Sequence, residues 1–173
     1  MHRLLVIGVT ALVALASSGS AIAWSWPADG QVVRPFQMGA DAYAGGQHRG
    51  IDVGGPEGSP VGAPASGTVT FAGSVPTHGR GVTISTADGY SVTLFHLGSI
   101  SVGKGDTVAE GVPVGVMGSS GDPEHATPTV HLGIRRTSDE HGYVDPLGLL
   151  PARAAQPSPV PSPPTAAPAP VPA

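Results

Sequence analysis

Val82-Thr83-Ile84-Ser85-Thr86-Ala87-Asp88-Gly89-Tyr90-Ser91-Val92-Thr93-Leu94-Phe95-His96-Leu97 decides the fold. Val82 and Ile84 alternate with Thr83 and Ser85. After Asp88-Gly89, Tyr90, Val92, Leu94 and His96 alternate with Ser91, Thr93, Phe95 and Leu97. Successive side chains of an extended strand point to opposite faces, so a period of two marks strands half buried against a core. Asp88-Gly89 tolerates the positive φ of a tight turn, and the stretch predicts a β-hairpin closed by a two-residue turn. On this alternation His96 shares a face with Tyr90, Val92 and Leu94, and a half-buried core histidine with a satisfied hydrogen bond is one reading of it.

The same grammar extends in both directions. Ser66-Gly67 turns the chain into a strand at Thr68-Val69-Thr70-Phe71. Gly103-Lys104-Gly105-Asp106 leads into Thr107-Val108, Val112 to Met117 follows, and Thr129 to Arg135 is the last clear strand. No window sustains a helical period. The expectation is an all-β fold over residues 24–150, a single antiparallel sheet or sandwich domain. Its glycines serve turns and bulges.

Composition separates this domain from what flanks it. Glycine and proline make up 45 of 173 residues, a share that in an aperiodic chain points to disorder. Twenty-four of the 26 glycines lie between Trp24 and Leu150, whereas nine of the 19 prolines lie between Pro151 and Ala173, so the two residue types mark different segments. Residues 151–173, rich in Pro, Ala and Ser, favour extended polyproline II and are expected to be a disordered tail, either a semi-rigid spacer or a ragged terminus. Residues 1–23 have the parts of a secretory signal: His2 and Arg3, an apolar run from Leu4 to Ala16, and Ala21-Ile22-Ala23 as a small-x-small cleavage site. An uncleaved anchor is the alternative, but Ser17, Ser18, Gly19 and Ser20 interrupt the run. The expected location is secreted or extracytoplasmic, with no stable membrane insertion after cleavage. The chain contains no cysteine, which excludes disulfides and lipidation on an N-terminal Cys.

Within residues 24–150, six Lys or Arg stand against twelve Asp or Glu, a formal net charge of −6. Nucleic acid is excluded as a partner, since its phosphates need a basic stripe. An anionic membrane surface is excluded for want of a polybasic cluster. A carrier domain with a swinging prosthetic group shares the short strands. Lys104, the chain's only lysine, lacks the flanking methionine or acidic residues that such a domain needs.

In a cysteine-free exported protein a metal site must be built from His and carboxylate. The densest cluster is His48-Arg49-Gly50-Ile51-Asp52. A fully extended strand would separate the His48 and Asp52 backbones by roughly 13 Å, so convergence on one ion needs a bend at Gly50. A surface His beside an Asp is also commonplace. His131 lies on the short strand that begins at Thr129, while His78 and His141 fall in turn-rich segments and read as solvent-exposed loop residues.

The order of these pieces carries more than any one of them. His48-x-Gly50-x-Asp52 is followed by Gly58-Ser59-Pro60-Val61 and Ala65-Ser66-Gly67-Thr68-Val69. Then come His96-Leu97, Val102-Gly103-Lys104-Gly105-Asp106, Gly118-Ser119-Ser120-Gly121 and His131. From about Trp26 to Leu150 the chain resembles the lysostaphin-type (LytM-like) zinc metallo-endopeptidases. The resemblance implies one Zn2+ ion held by His48, Asp52 and His131, with His96 as an unligated catalytic imidazole. The first His of the family's His-x-His motif falls at Thr129, because the sequence reads Thr129-Val130-His131. His125, in the loop from Pro123 to Pro128, is the nearby substitute.

Two imidazoles and one carboxylate leave a fourth tetrahedral position for water, the arrangement of a catalytic zinc site. Zinc lowers the pKa of that water and polarises a carbonyl, while a neighbouring base and acid move the protons. Thr129 cannot accept a proton at neutral pH. The resemblance thus implies a secreted, cell-wall-associated zinc endopeptidase cutting peptidoglycan peptide bonds. The alternative is a catalytically impaired zinc-binding module that binds the wall or regulates wall hydrolases.

Overall fold

The computed structural model describes residues 24–41, 44–121 and 127–153. The expected leader (1–23), the tail beyond Arg153 and His125 lie outside the described residues. Among the described residues eleven strands are formed: β1 Val32–Arg34, β2 Ile51–Gly54, β3 Pro60–Gly62, β4 Gly67–Val75, β5 Gly79–Ser85, β6 Tyr90–Leu97, β7 Ser99–Ile100, β8 Thr107–Val108, β9 Pro113–Val116, β10 Thr129–Arg136 and β11 Tyr143–Val144, with one 3-10 turn at Pro146–Gly148. Every pairing is antiparallel. The main sheet runs β1-β2-β10-β6-β5-β4-β8 with β11 beside β10, and a small sheet runs β3-β9-β7. The all-β antiparallel expectation holds. Among the described residues no helix is long and apolar enough to cross a membrane.

The period of two is visible in the core. Ile51 and Val53 of β2, Val82 and Ile84 of β5, Val92 and Leu94 of β6, and Val130, Leu132 and Ile134 of β10 are fully buried on one face, capped by Val61 and Val114 of the small sheet. Truncating any one of the Leu or Ile side chains to Ala costs about 2–5 kcal/mol. The central strands β2, β10 and β6 therefore form a rigid platform, and their opposite face is free to carry chemistry.

Two details differ from the sequence expectation. The β5–β6 turn holds three residues rather than two. Thr86 N donates to Tyr90 O, Tyr90 N donates to Thr86 Oγ1, and Gly89 sits at φ +86° after the Ala87-Asp88 corner. This is the three-residue hairpin with a left-handed glycine. The alternation also breaks at the end of β6. Arg80 pairs with Leu97 and Val82 with Leu94, so three steps on β6 oppose two on β5. The extra residue is a bulge in which His96 adopts φ +66°, and Leu97 instead of His96 takes the next core position. His96 is thus not a core histidine.

Candidate functional site

The outward face of the platform aligns three side chains by register alone. Asp52 pairs with His131, and His131 pairs with Phe95 on its other side, so the three project side by side from β2, β10 and β6. Ile51 and Val53 point the other way into the core, which commits Asp52 to this face. His48 arrives from outside the strand. Its backbone bridges Gln37, with Gln37 N donating to His48 O and His48 N to Gln37 O, and the chain then bends through Arg49-Gly50 into β2.

The bend does what the spacing required. His48 Nε2 lies 3.1 Å from Asp52 Oδ1 and 3.2 Å from His131 Nδ1, and His131 Nδ1 lies 2.8 Å from the same carboxylate oxygen. Four bonds of about 2.1 Å around a tetrahedral centre set neighbouring donor atoms roughly 3.4 Å apart, so the three atoms sit slightly inside the spacing that an ion would impose. His48 Nδ1–H donates to Pro35 O at 2.8 Å, fixing the tautomer that leaves the lone pair on Nε2. Burial lowers the His131 pKa, His48 and His96 add to this, and Asp52 opposes it. A neutral imidazole is the form that ligates. His48 is 6% exposed and Asp52 3%. Two imidazole lone pairs and a carboxylate converging in a buried spot form a donor set that fits a divalent cation.

Gly50 is required for space, not for its φ. A Cβ there would stand 2.7 and 2.8 Å from Cε1 and Nε2 of the His131 ring and 2.3 Å from the Leu132 carbonyl oxygen.

A cleft of about 420 Å³ opens over the triad, with His96 and His78 on its walls. The His96 bulge turns the ring to 6.3 Å from that of His131, nearly perpendicular to it. His96 Nδ1–H donates to Ser120 O at 3.0 Å, leaving Nε2 as the acceptor. Ser120 is held in turn, because its hydroxyl donates to Leu97 O and accepts from Arg80 N.

His78 is exposed, as its turn-rich surroundings predict, yet it lines the same cleft from the turn between β4 and β5. Its ring meets the edge of Phe95 at 5.1 Å, its carbonyl accepts the backbone N–H of His96, and its Nδ1–H donates to Thr77 Oγ1 at 2.8 Å. Thr77 and His96 are the two non-glycine residues with positive φ among those described. Both positions adjoin or carry a cleft imidazole, a location where backbone strain commonly accompanies function. Nothing in the sequence pattern singled out His78, because its partners lie on other strands.

Thr129 occupies β10 two residues before His131, hence on the same strand face, opposite Gly54 of β2. It is 6% exposed and is not among the residues that line the cleft. His141 is exposed in the turn before β11, with its N–H on Asp139 Oδ1.

An antiparallel platform thus carries, beneath an open cleft, a His–Asp–His donor set whose atoms fit one metal ion. The profile of peptidase family M23 matches residues 46–146, and the chain belongs to that family. It is 35% identical over 147 residues to a lipoprotein NlpD/LppB homolog of Pseudomonas aeruginosa, covering 84% of this chain and 45% of that protein. It is 33% identical over 132 residues to the murein hydrolase activator NlpD of Salmonella dublin, covering 76% and 32%. The catalytic domain of the antimicrobial peptidase lysostaphin from Staphylococcus simulans superposes with a TM-score of 0.57 at 29% identity, covering 69% of this chain and 88% of that one. The chain spans less than half the length of these two curated relatives.

Proposed function

We propose that this chain is an exported M23 domain that holds one zinc ion through His48, Asp52 and His131 and works at bacterial peptidoglycan as a wall-binding regulator of murein hydrolases, with little peptidase activity of its own. The observation that carries this reading is Thr129. It stands on the site face of β10, one alternation before His131, where the family resemblance places a second imidazole. A buried hydroxyl there neither accepts a proton at neutral pH nor reaches the cleft. The Salmonella relative, named as an activator of murein hydrolases, supports the same reading, as does the Pseudomonas relative, named as a lipoprotein, for an envelope location.

When bound, zinc supplies Lewis-acid polarisation of a carbonyl and a water of lowered pKa. The Pro35 carbonyl holds His48 in the tautomer whose Nε2 lone pair can ligate, and at the cleft His96 is oriented by Ser120 O and His78 by Thr77 Oγ1. One proton-transfer group accounts for about 10²- to 10⁴-fold in rate, so a site short of one is slow, not merely altered.

A second reading, a working endopeptidase, draws on His78, which lines the cleft beside His96. One experiment separates the two. Zinc-loaded protein is incubated with purified peptidoglycan, with and without chelator, alone and together with a murein hydrolase. The expected outcome is sedimentation with the wall, no fragments released by the protein alone, and faster release when the hydrolase is present. Chelator-sensitive release by the protein alone overturns the proposal in favour of the peptidase.

A further inference from the structure

A hollow of about 440 Å³ lies beside the contact between Trp26 and Arg153 and shares no lining residue with the cleft over the triad. Trp26 and four prolines, Pro27, Pro56, Pro60 and Pro113, line it, and most of the remaining lining is glycine or alanine, which adds little bulk. Pro56, Pro60 and Pro113 are exposed, so their rings are open to a ligand. Asp29 is the one charged side chain on the described lining. Burial lowers the Arg153 pKa and Asp29 opposes this, so the carboxylate at the rim already has a cation beside it.

The chain leaves the folded body at this spot. Trp26 Nε1–H donates to Pro151 O at 2.9 Å, and the Arg153 guanidinium lies 3.6 Å over the indole. That guanidinium also donates to the carbonyls of Ala28 and Gly30, both on the lining. Four residues take the chain from Arg153 to Pro157, at most about 14 Å of extended backbone, so the hollow is within reach of the first proline beyond Arg153. Residues 154–173 hold eight prolines and no charged side chain. Proline fixes φ near −65°, so such a segment enters a binding site with little conformational entropy left to lose. Three residues complete one polyproline II turn, which puts Pro157, Val160 and Pro163 along one apolar edge. An indole beside a clear apolar floor is the surface on which an edge of this kind packs, and an uncharged segment buries no charge in doing so.

We propose that this hollow is the seat of the chain's own tail: residues 157–164 lie in it as a polyproline II strand, with Pro157, Val160 and Pro163 turned towards Trp26 and the four prolines. Of the tail, only the part beyond Pro164 then extends away from the body. The proposal is independent of what the His48–Asp52–His131 site does.

The chain has no cysteine, so Thr165→Cys gives a unique attachment point for a nitroxide spin label just past the seat. Amide spectra of the full-chain protein are recorded with the label oxidised and reduced. A short tether keeps the segment at an effective concentration of about a millimolar, so even millimolar affinity seats it in about half of the molecules. The amides of Gly55, Gly62 and Gly111 are therefore expected to lose about half or more of their intensity, while those of His48 and His131 keep theirs. Val160→Asp, which changes only the tail, and Pro113→Glu, at an exposed position in the hollow, are each expected to restore the lost intensity, about a twofold rise. Val171→Asp, the same change beyond the seat, is expected to leave it low. Broadening that is strongest near Arg153 and fades evenly from there, or that survives either substitution in the seat, overturns the proposal. So does broadening of isotope-enriched unlabelled chains by labelled ones in a mixture, which assigns the hollow to a second copy's tail. Val160→Asp decides alone if Pro113→Glu does not fold.

Discussion

Replacing Gly50 by alanine adds one methyl group at a crowded point behind the proposed metal site, and the structure predicts its cost. The new Cβ would lie 2.3 Å from the Leu132 carbonyl oxygen and 2.7 and 2.8 Å from the His131 ring, where ordinary contact begins at 3.4 Å. Neither neighbour gives way easily. Leu132 sits in register between β2 and β6, and His131 is held at its other nitrogen, 2.8 Å from Asp52. Moving the ring from 2.8 to 3.4 Å displaces it by about 0.6 Å, beyond the tolerance of roughly 0.2 Å for a metal–ligand distance. Overpacking of this kind costs about 1–3 kcal/mol, which for a domain of this size lowers Tm by about 3–15 °C. Zinc affinity should fall by about 10- to 100-fold, the range seen when the support of a ligand is disturbed. Gly45→Ala is the control, because a Cβ there meets nothing within 4 Å and its cost should stay within about 0.5 kcal/mol. Calorimetric unfolding and competitive zinc titration measure both quantities. If Gly50→Ala matched Gly45→Ala in both, the assignment of Gly50 as the spacer behind His131 would be wrong.

Three further outcomes follow from the same geometry. Thr129→His should raise chelator-sensitive wall cleavage by about 10²- to 10⁴-fold over a weak wild type, measured by fragment release; a wild type already active and unchanged by the substitution would show that Thr129 is not the deficient position. His96→Gly should leave the apo-domain about 1 kcal/mol more stable than His96→Ala, because both lose the bond to Ser120 and only glycine relieves φ +66°; equal melting temperatures for the two would refute the strain. Arg153→Ala should cost about 1–2 kcal/mol in chemical denaturation, since its guanidinium lies 3.6 Å over the Trp26 ring and donates to the Ala28 and Gly30 carbonyls; a change near zero would show that this contact is idle.

The platform was legible because alternation over β5, β6 and β10 reports burial directly, and those strands are long enough to display it. β1, β3, β7 and β11 have two or three residues each, too few for a period to form. The His96 bulge was hidden for another reason. Alternation counts residues along one chain, while a bulge is a mismatch between two, visible only once Leu97 is seen opposite Arg80. At the proposed metal site, spacing alone suggested only the His48–Asp52 pair. His131 is 79 residues beyond Asp52, and its inclusion came from the family resemblance. His78 escaped both routes, since its place on the cleft wall depends on which strands become neighbours.

The clasp at the domain's edge has a consequence for how such a unit travels between proteins. Trp26 Nε1–H donates to Pro151 O at 2.9 Å and Arg153 covers the same indole, so the folded body begins and closes at one spot. A body whose entry and exit are fastened together can be joined to other segments without rearranging its sheets, because the strain of any attachment stops at the clasp. In the Pseudomonas relative the matching stretch makes up 45% of the chain. In engineering terms the domain is a cassette, and Trp26 with Arg153 is its latch.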